Sequence, residues 1–368
     1  MQHTTANSRR TGGKANGGRS VAEFGARIRE AISQGDYGPG EYLPTVRELS
    51  RRHRLACSTV HRALQTLVDE GLVAAENRQG YRVLPGAGDP LRGCPVAYVF
   101  SSTEEQEPLA SSYQRSLLAA FQNAAAARGW TLLSTVAGPD EAGTVLEKLR
   151  AARTSGLVLD MHDLGLIDAL LASGLPAVLV NSWREDVAMD TVMQDGQQGG
   201  LQAAAYLASR GHRRVAWFGP MAQTGHSLDR FGGALSGLRR AGLAAPEEHI
   251  TTDDEGVIAE QARRLLSGRD RPSGILALWQ ANALALARAA AELGLVLGKD
   301  FEMVGWCREE EYAESYAPRF RPGEVPPTVV WSAAAMAAAA LDRISLRRSD
   351  PARAALRIKI PTRLRVRP

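Results

Sequence analysis

Cysteine is scarce in this chain of 368 residues, which has only Cys57, Cys94 and Cys307. Their odd number and wide spacing argue against a disulfide framework, and neither they nor the seven histidines show the spacing of zinc ligands. No run approaches 18 consecutive apolar residues, and the first twenty residues lack the apolar core of a signal peptide. We therefore expect a cytoplasmic protein with a disordered tail over residues 1–20 and with no metal or cofactor.

Most of the chain also lacks an excess of either positive or negative residues. Residues 1–90 contain 13 Lys and Arg against 9 Asp and Glu, whereas residues 91–368 contain 31 of each kind. The whole net charge of +4 thus lies in the first quarter, as is typical of a segment that meets phosphates. The length itself predicts two or three compact units.

Three helices are predicted at the start of the chain. The first carries an apolar stripe made of Phe24, Ile28, Ala31 and Ile32. Thr45 and Glu48 have the spacing of a capping box, which begins a second, short helix. A third helix starts near Cys57 or Ser58 and has an apolar face made of Val60, Ala63, Leu64, Leu67 and Val68. Two short helices in succession, the second with polar residues at its start, suit insertion into a DNA major groove.

A β-hairpin is predicted to follow the third helix. The strand-like runs Leu72–Ala75 and Tyr81–Leu84 flank Asn77–Gly80, which has the composition of a turn. Three helices and a hairpin predict a winged helix-turn-helix over residues 21–84.

The segment resembles the GntR family of winged-helix regulators. The matching stretches are Pro39–Leu49, Ser58–Leu64, Leu67–Val73 and Gly80. The resemblance implies that the DNA-contacting positions are Arg47, Ser58, Thr59, His61 and Arg62, together with Arg78, Gln79, Gly80 and Tyr81 at the wing. The family often has Ser-Arg where this chain has Ala56-Cys57, so we expect a different preferred operator. Two alternatives stay open: a winged helix used for protein contacts, and a merely solvated basic face formed by Arg51, Arg52 and Arg54.

The rest of the chain has the pattern of an α/β protein. Residues 85–95 contain three glycines and three prolines and are predicted to be a linker. Over residues 96–368, short apolar runs alternate with helical stretches, which indicates parallel sheets in two lobes. The predicted strands are Val96–Phe100, Trp130–Val136, Gly156–Asp160, Ala177–Asn181, Val215–Gly219, Gly274–Trp279 and Glu302–Gly305. The basic tail beyond Asp342 is predicted to be a solvated edge or, alternatively, a further nucleic-acid contact.

The pocket of such a domain is expected beyond the carboxyl ends of the strands. The residues at those positions are Ser101, Ser102, Asp160, Asn181, Trp279, Gln280, Trp306 and Cys307.

The same domain resembles the effector-binding domain of the LacI/GalR family, which has a periplasmic-binding-protein-like fold. The matching residues are Gly156–Asp160, Leu175–Asn181, Asp195 with Gly199-Gly200, Tyr206–Ala216, Gly219-Pro220, Arg230–Gly233 and Val304-Gly305. The resemblance implies that Arg230, Asn181 and Tyr113 contact a small-molecule effector, although Arg230 could instead form an ion pair between the lobes. His212 is expected to be a turn residue.

Two departures from that family bear on the ligand. The family commonly has Asn-Asp where this chain has Ala281-Asn282, and an acidic residue where it has Cys307. At these positions Asn282 and Cys307 are expected to line the pocket. In sugar-binding members such carboxylates accept hydrogen bonds from hydroxyls. Their loss points to a flatter or more apolar ligand, or to a differently placed sugar. The nearby tryptophans agree with this interpretation, although each could equally be a core residue: Trp183, Trp279, Trp306 and Trp331.

The combination predicts a transcriptional regulator, expected to be a repressor. It would bind double-stranded operator DNA as a homodimer and respond to a small-molecule effector such as a sugar or related metabolite. The alternative is a ligand-independent DNA-binding or interaction protein with a degenerate pocket. An enzyme is not expected, because none of the four lysines suits a Schiff base and the nucleophile-elbow, phosphate-loop and zinc-helix motifs are missing.

Overall fold

The structure is a computed structural model that describes residues 13–84, 87, 95–101, 112–138, 140–182, 184, 186–220, 225–249 and 254–366. For residues 13–19, 112, 113 and 225 the description covers the backbone alone. The chain divides into two compact units: the first comprises Met1–Cys94 and Ala127–Trp130, and the second comprises Pro95–Ala126 and Thr131–Pro368.

The first unit contains three helices and a two-stranded sheet: α1 (Gly13–Gln34), α2 (Val46–His53), α3 (Cys57–Asp69), β1 (Val73–Glu76) and β2 (Gly80–Val83). Its core is built from the predicted apolar stripes, including Phe24, Ile28, Leu49, Val60 and Leu64. Burying these side chains against one another, rather than helix propensity, stabilises such short helices.

The first helix is longer than predicted. It begins at Gly13, within the predicted tail, and residues 1–12 lie outside the described part. Among the residues of this helix whose side chains are described, the buried ones begin at Phe24. The polar turns before it therefore carry no apolar period, which is the signal that the sequence prediction relied on.

The second unit contains two six-stranded sheets. The sheet of lobe 1 has the order β13-β7-β6-β5-β3-β4 and that of lobe 2 has the order β14-β12-β11-β10-β8-β9. All pairs are parallel except β12 with β14, which is antiparallel. The strands are β3 (Pro95–Ser101), β4 (Thr131–Ala137), β5 (Gly156–Asp160), β6 (Ala177–Val180), β7 (Asp190–Gln194), β8 (Val215–Phe218), β9 (Glu247–His249), β10 (Gly274–Ala277), β11 (Glu302–Arg308), β12 (Thr328–Trp331), β13 (Arg357–Ile360) and β14 (Arg363–Arg365).

Helices cover both sheets. They are α4 (Ser112–Ala127), α5 (Ala142–Ala151), α6 (Leu164–Leu171), α7 (Gly196–Ser209), α8 (Gly225–Arg240), α9 (Glu255–Ser267), α10 (Gln280–Glu292), the single turn α11 (Glu309–Glu311) and α12 (Ala333–Ser349). Because parallel strands are hidden on both faces, they appear in the sequence as nearly continuous apolar runs. None of the helices in the described ranges is long and apolar enough to span a membrane.

The chain crosses from one lobe to the other three times. The crossings lie in the connections β7–α7, β12–α12 and β13–β14. The third crossing corrects the expectation of a solvated tail, since β13 extends the sheet of lobe 1 and β14 that of lobe 2. The buried carboxylate of Asp190 holds this tail: it accepts hydrogen bonds from Arg343, Arg347 and the backbone N–H of Leu356. These basic side chains are therefore structural.

His212 has a structural role, as expected. Its ring nitrogens lie 2.9 Å from Ser273 Oγ and 3.2 Å from a carboxylate oxygen of Glu302. Tyr206 and Arg210 donate hydrogen bonds to the same carboxylate. The longest stretch resembling the LacI/GalR family thus joins the end of α7 to the start of β11.

Candidate functional site

The turn between α2 and α3 is fixed by local hydrogen bonds. Thr45 accepts the backbone N–H of Glu48 over 3.3 Å, and Glu48 accepts the backbone N–H of Thr45 over 2.8 Å, so the predicted capping box is present. Arg54 ends α2 in the left-handed conformation with φ 53°. Ser50 Oγ then donates to the carbonyl of Leu55. This geometry brings the start of α3 against the end of α2.

The start of α3 presents its polar face to solvent. Ser58, His61 and Arg62 are exposed and Thr59 is half-buried, while Val60 on the opposite face is fully buried. Arg47 at the start of α2 is exposed as well. Ala56 precedes α3 and makes no side-chain cap, in agreement with the departure noted in the sequence. The start of α3 therefore lacks a side-chain cap, and the backbone N–H of Thr59 donates instead to the carbonyl of Ala56 over 2.9 Å.

The wing is tied to α3 and to the segment before α2. Its turn has two residues with positive φ, Arg78 (64°) and Gly80 (111°), and Arg78 and Gln79 are exposed at the tip. The ring of Tyr81 meets the ring of His61 edge-on at 6.5 Å. All nine residues predicted to contact DNA thus belong to α3, the start of α2 or the wing.

Tyr42 is a residue of this surface that the sequence prediction missed. It is 41% exposed, and its hydroxyl hydrogen-bonds to Glu76 and Gln79 on either side of the wing turn. The bond to Glu76 raises the pKa of Tyr42 and lowers that of Glu76. The only available signal was its place in the GntR-like stretch, which gives no indication that its partners lie 34 and 37 positions later.

In the second unit, side chains at the carboxyl ends of β5 and β7 in lobe 1 meet side chains of α8 and β11 in lobe 2, through the ring contact of His162 with His226 and the hydrogen bonds of Gln194 with Arg230 and Trp306. We call this region between the lobes the cleft. On the side of lobe 1, Asp160 ends β5 and Asn181 follows β6. Tyr98 donates a hydrogen bond of 2.6 Å to Asp160 Oδ2. Burial raises the pKa of Asp160, while this hydrogen bond acts in the opposite direction.

Asn181 has an unusual environment. Its φ is 59°, and it is only 1% exposed. Its side-chain amide hydrogen-bonds to Asp160, which acts to lower the pKa of that carboxyl against the effect of burial. Asn is one of the few residues that tolerate the left-handed region, so the sequence can place this amide beside Asp160.

Arg230 on α8 lies at the floor of the cleft and is 2% exposed. Its guanidinium lies between two indole rings, 4.5 Å from the centre of Trp279 and 3.9 Å from that of Trp306. One terminal nitrogen donates to the carbonyl of Leu278, and the other donates to Gln194 Oε1 over 2.7 Å. The predicted effector contact is thus enclosed by protein groups. The cavity behind it has a volume of about 10 Å³, barely the space of one water molecule.

Close backbone packing sets the position of this cluster. A Cβ atom on Gly200 would lie 2.1 Å from the carbonyl oxygen of Arg230, and one on Gly199 would lie 2.3 Å from the ring of Trp306. The glycine pair that resembles the LacI/GalR family is therefore required for α7 to approach both residues.

Histidine and tryptophan rings connect the two lobes across the cleft. The ring of His162, which follows β5, meets that of His226 on α8 edge-on at 6.0 Å. The ring of His226 meets that of Trp279 at 5.9 Å in the same manner. Burial lowers the pKa of His226 to about 3, with further lowering by Arg230 and His162. The imidazole of His226 is therefore neutral at physiological pH.

Two predicted pocket residues have structural roles instead. Cys307 packs in the core of lobe 2 with Tyr316 and Val330, because alternate residues of β11 point to opposite faces. Burial raises the pKa of its thiol to about 12, so it is unreactive. Asn282 accepts the backbone N–H of Trp279 over 3.2 Å and thereby caps α10.

The remaining predicted positions are less informative. Ser101 ends β3 and is half-buried, and Gln280 begins α10. Trp331 is a core residue of β12, 3% exposed. The predicted linker apart from Ala87 and Pro95, together with Ser102, Trp183 and the side chain of Tyr113, lies outside the described residues. His162, His226 and Gln194 were not predicted from the sequence, since a single histidine or glutamine belongs to no recognisable motif.

Comparisons with known proteins match both units. Residues 21–83 match the model of the bacterial regulatory proteins of the gntR family. Residues 204–368 match that of the periplasmic binding protein-like domain. The HTH-type transcriptional repressor PurR of Erwinia tasmaniensis is 26% identical over 286 residues, which are 72% of this chain and 80% of that protein.

Two solved structures share the fold. A regulatory protein of the LacI family from Chloroflexus aggregans superimposes with a TM-score of 0.62 at 21% identity, over 74% of this chain and 97% of that one. The transcriptional regulator CelR in complex with cellobiose gives a TM-score of 0.62 at 18% identity, over 88% and 99%. The chain therefore joins a DNA-binding domain of the gntR family to a periplasmic-binding-protein-like domain with the fold of LacI-family transcription regulators.

Proposed function

We propose that this protein is a transcriptional repressor that binds operator DNA as a homodimer and is controlled by a small molecule bound between its two lobes. The observation that carries the proposal is the union, in one chain, of an exposed polar face on α3 with a cleft lined by buried polar and aromatic side chains. Such a protein acts where the chromosome lies, so we place it in the cytoplasm.

In this proposal α3 enters the major groove. Ser58, Thr59, His61 and Arg62 reach base edges or phosphates, while Arg47 contacts the backbone. Arg78, Gln79, Gly80 and Tyr81 approach the adjacent groove through the wing. The positive excess in residues 1–90 supports this arrangement, because phosphate contacts supply much of the affinity of DNA-binding proteins.

In this proposal the second unit, here called the sensor domain, transmits the binding of the effector to the DNA-binding domain. Two chains pair and present two winged helices to half-sites separated by about 10 base pairs or a multiple. A ligand that favours one arrangement of the lobes changes the spacing of the DNA-binding domains through residues 85–95. The ligand can shift the equilibrium between the two arrangements only by its difference in affinity for them, typically about 1–3 kcal/mol.

The names of similar proteins support both halves. The relative from Erwinia tasmaniensis is named a transcriptional repressor, and the CelR structure contains cellobiose. We propose accordingly that the effector of this chain is a small organic molecule and that its cleft is lined by Asp160, Asn181, His226 and Trp279.

One observation favours a second candidate. The guanidinium of Arg230, the predicted effector contact, is enclosed by Gln194, Leu278 and two indoles. A regulator that binds DNA without an effector, and whose cleft only joins the lobes, would have such an enclosed floor.

The test of the proposal is selection of DNA sites from a random pool by the purified full-length protein, with affinity measured at several salt concentrations. We expect an inverted repeat, with affinity that falls steeply as salt rises. Enrichment of no sequence at any salt concentration would contradict it. A selected site whose affinity no metabolite changes would favour the second candidate.

A further inference from the structure

We propose that Tyr42 is a positioning residue for the wing, and that it thereby sets the base preference of the protein beside the bases that α3 reads. The inference rests on the proposed function, and it names the residues that read the flanks of each half-site. Three features support it: the place of Tyr42 beside β2, the hydrogen bonds of its hydroxyl, and the unengaged guanidinium of Arg78 at the wing tip.

The segment before α2 pairs with the wing along its backbone. The N–H of Leu43 donates to the carbonyl of Tyr81 over 2.8 Å, and Tyr42 forms an antiparallel bridge with Arg82. Two further backbone hydrogen bonds, of 2.8 and 2.9 Å, join Val83 to the same segment. Because these bonds fix the register of the segment along β2, they also fix the position of Tyr42 beside the wing.

Side chains of β1, β2 and this segment meet on one face of the pairing. Arg82 pairs with Ala74 of β1, and Glu76 lies two positions further along, so Glu76 is the diagonal neighbour of Arg82. Arg82 Nε donates to Glu76 Oε1 over 2.6 Å, and the hydroxyl of Tyr42 hydrogen-bonds to Glu76 Oε2. The same hydroxyl hydrogen-bonds to Gln79. Tyr42 therefore holds the wing turn on both sides of its tip.

The turn that Tyr42 holds contains an uncommon backbone conformation. Arg78 has a φ of 64°, in the left-handed region, which is unfavourable for a residue that carries a Cβ atom. Such a conformation persists where the surrounding structure fixes it, and Tyr42 is bonded to residues on either side of Arg78. Loss of the hydroxyl should therefore leave β1 and β2 paired but give the tip more than one conformation.

Arg78 is the cation that the wing tip leaves for DNA. It is exposed and makes no hydrogen bond or ion pair with another described residue, whereas Gln79 is engaged by Tyr42 and Arg82 by Glu76. An arginine beside a helix in the major groove reaches the adjacent minor groove, and the narrow groove of A·T-rich DNA attracts it most. The geometry thus predicts a preference for A·T pairs beside each half-site, and this preference depends on Tyr42.

The test is selection of DNA sites from a random pool by the full-length protein and by four variants. Tyr42→Phe removes only the hydroxyl, Arg78→Ala removes the guanidinium, and a double variant combines both changes. Tyr37→Phe is the matched control, because Tyr37 packs against the same core and its hydroxyl has no hydrogen-bond partner among the described residues.

Affinity is then measured by fluorescence anisotropy on two DNAs that share the selected inverted repeat. One DNA keeps the selected flanks, and the other has G·C pairs in their place. Equal binding of all variants to the second DNA also shows that their DNA-binding domains are folded.

We expect every variant to select the same inverted repeat, with Tyr42→Phe and Arg78→Ala losing the A·T preference beside it. Each should bind the DNA with the selected flanks about tenfold more weakly than the unaltered protein does, and the DNA with G·C flanks equally well. The double variant should bind no more weakly than Arg78→Ala, because Tyr42 acts through Arg78. Tyr37→Phe should match the unaltered protein on both DNAs.

The inference is overturned if Tyr42→Phe keeps the flanking preference, if it weakens binding to both DNAs equally, or if its loss adds to that of Arg78→Ala. An inverted repeat without any flanking preference, selected by the unaltered protein, overturns the inference and leaves the proposed regulator in place. Selection of no site by the unaltered protein refutes the regulator itself.

Discussion

The indole Nε1 of Trp306 donates a hydrogen bond of 2.9 Å to Gln194 Oε1, the same oxygen that accepts a hydrogen bond from Arg230. Gln194 ends β7 in the sheet of lobe 1, whereas Trp306 and Arg230 belong to β11 and α8 of lobe 2. One buried amide oxygen thus joins the two lobes at the point where the chain passes from β7 to α7.

Replacing this amide should destabilise the sensor domain. In Gln194→Leu, the Arg230 cation and the Trp306 N–H both lose their acceptor, and we expect the free energy of unfolding to fall by about 3 kcal/mol. Urea unfolding followed by circular dichroism measures the change. Gln197→Leu, an exposed substitution at the start of α7, should stay within about 0.5 kcal/mol of the unaltered protein. Equal stability of the two variants would show that the link between the lobes contributes nothing.

Asp190 should matter still more for stability. Its carboxylate is fully buried and accepts hydrogen bonds from Arg343, Arg347 and the backbone N–H of Leu356. Asp190→Ala leaves Arg343 buried without its anion, so we expect a loss of about 3–5 kcal/mol in urea unfolding. Asp140→Ala changes an exposed carboxylate before α5 and serves as the control. A loss below 1 kcal/mol for Asp190→Ala, on the order of a surface ion pair, would contradict this account.

The strands that were predicted correctly from the sequence are those whose buried side chains are apolar. Gly156–Asp160 is a strand with the predicted bounds, since its interior residues are apolar and buried. β7 has the sequence DTVMQ and is buried throughout. The side-chain hydrogen-bond partners of its terminal residues, Asp190 and Gln194, lie at least 36 positions away in sequence. No local sequence pattern can reveal such partners. β13 and β14 were missed because they are short and basic.

The candidate site was predictable only in part. The resemblance to known families led to Arg230 and Asn181, and both are buried polar residues. Whether a side chain of β11 faces the cleft or the core depends on its register, so Cys307 could not be separated from Trp306 beforehand. On the DNA-binding side, the capping box of Thr45 and Glu48 was predictable because its residues are three positions apart.

The neutral His226 predicts a pH dependence of stability. Its folded-state pKa of about 3 lies below the ordinary value of 6.5, so between these values the unfolded chain binds a proton that the folded chain does not. Its contribution to the unfolding free energy should therefore fall as the pH decreases, by about 2 kcal/mol from pH 7 to pH 5.

The measurement is urea unfolding of the unaltered protein and of His226→Gln at both pH values. Because Asp160 and His162 titrate in both proteins, only the difference between the two slopes reports on His226. We expect the variant to lose about 2 kcal/mol less than the unaltered protein between pH 7 and pH 5. Parallel pH profiles would refute the neutral buried imidazole.

Substitutions on the DNA-facing surface should separate binding from folding. Arg47→Ala and His61→Ala remove exposed side chains, so the melting temperature should change little. Each should weaken binding to the selected DNA about tenfold, equivalent to about 1.4 kcal/mol for one lost contact. Fluorescence anisotropy of labelled DNA measures this, with Arg264→Ala on the sensor domain as the control. If both variants bind the selected DNA with unchanged affinity, the prediction that α2 and α3 contact DNA through these residues is wrong.

Protection of Cys57 by DNA tests the central claim most directly. Cys57 is exposed at the start of α3, and Cys307 is buried. In a Cys94→Ser background a maleimide should therefore label Cys57 alone. If α3 lies in the major groove, the selected DNA should slow labelling about tenfold or more, and labelling completed beforehand should abolish DNA binding. An equal labelling rate with and without saturating DNA would contradict the claim that this helix reads DNA.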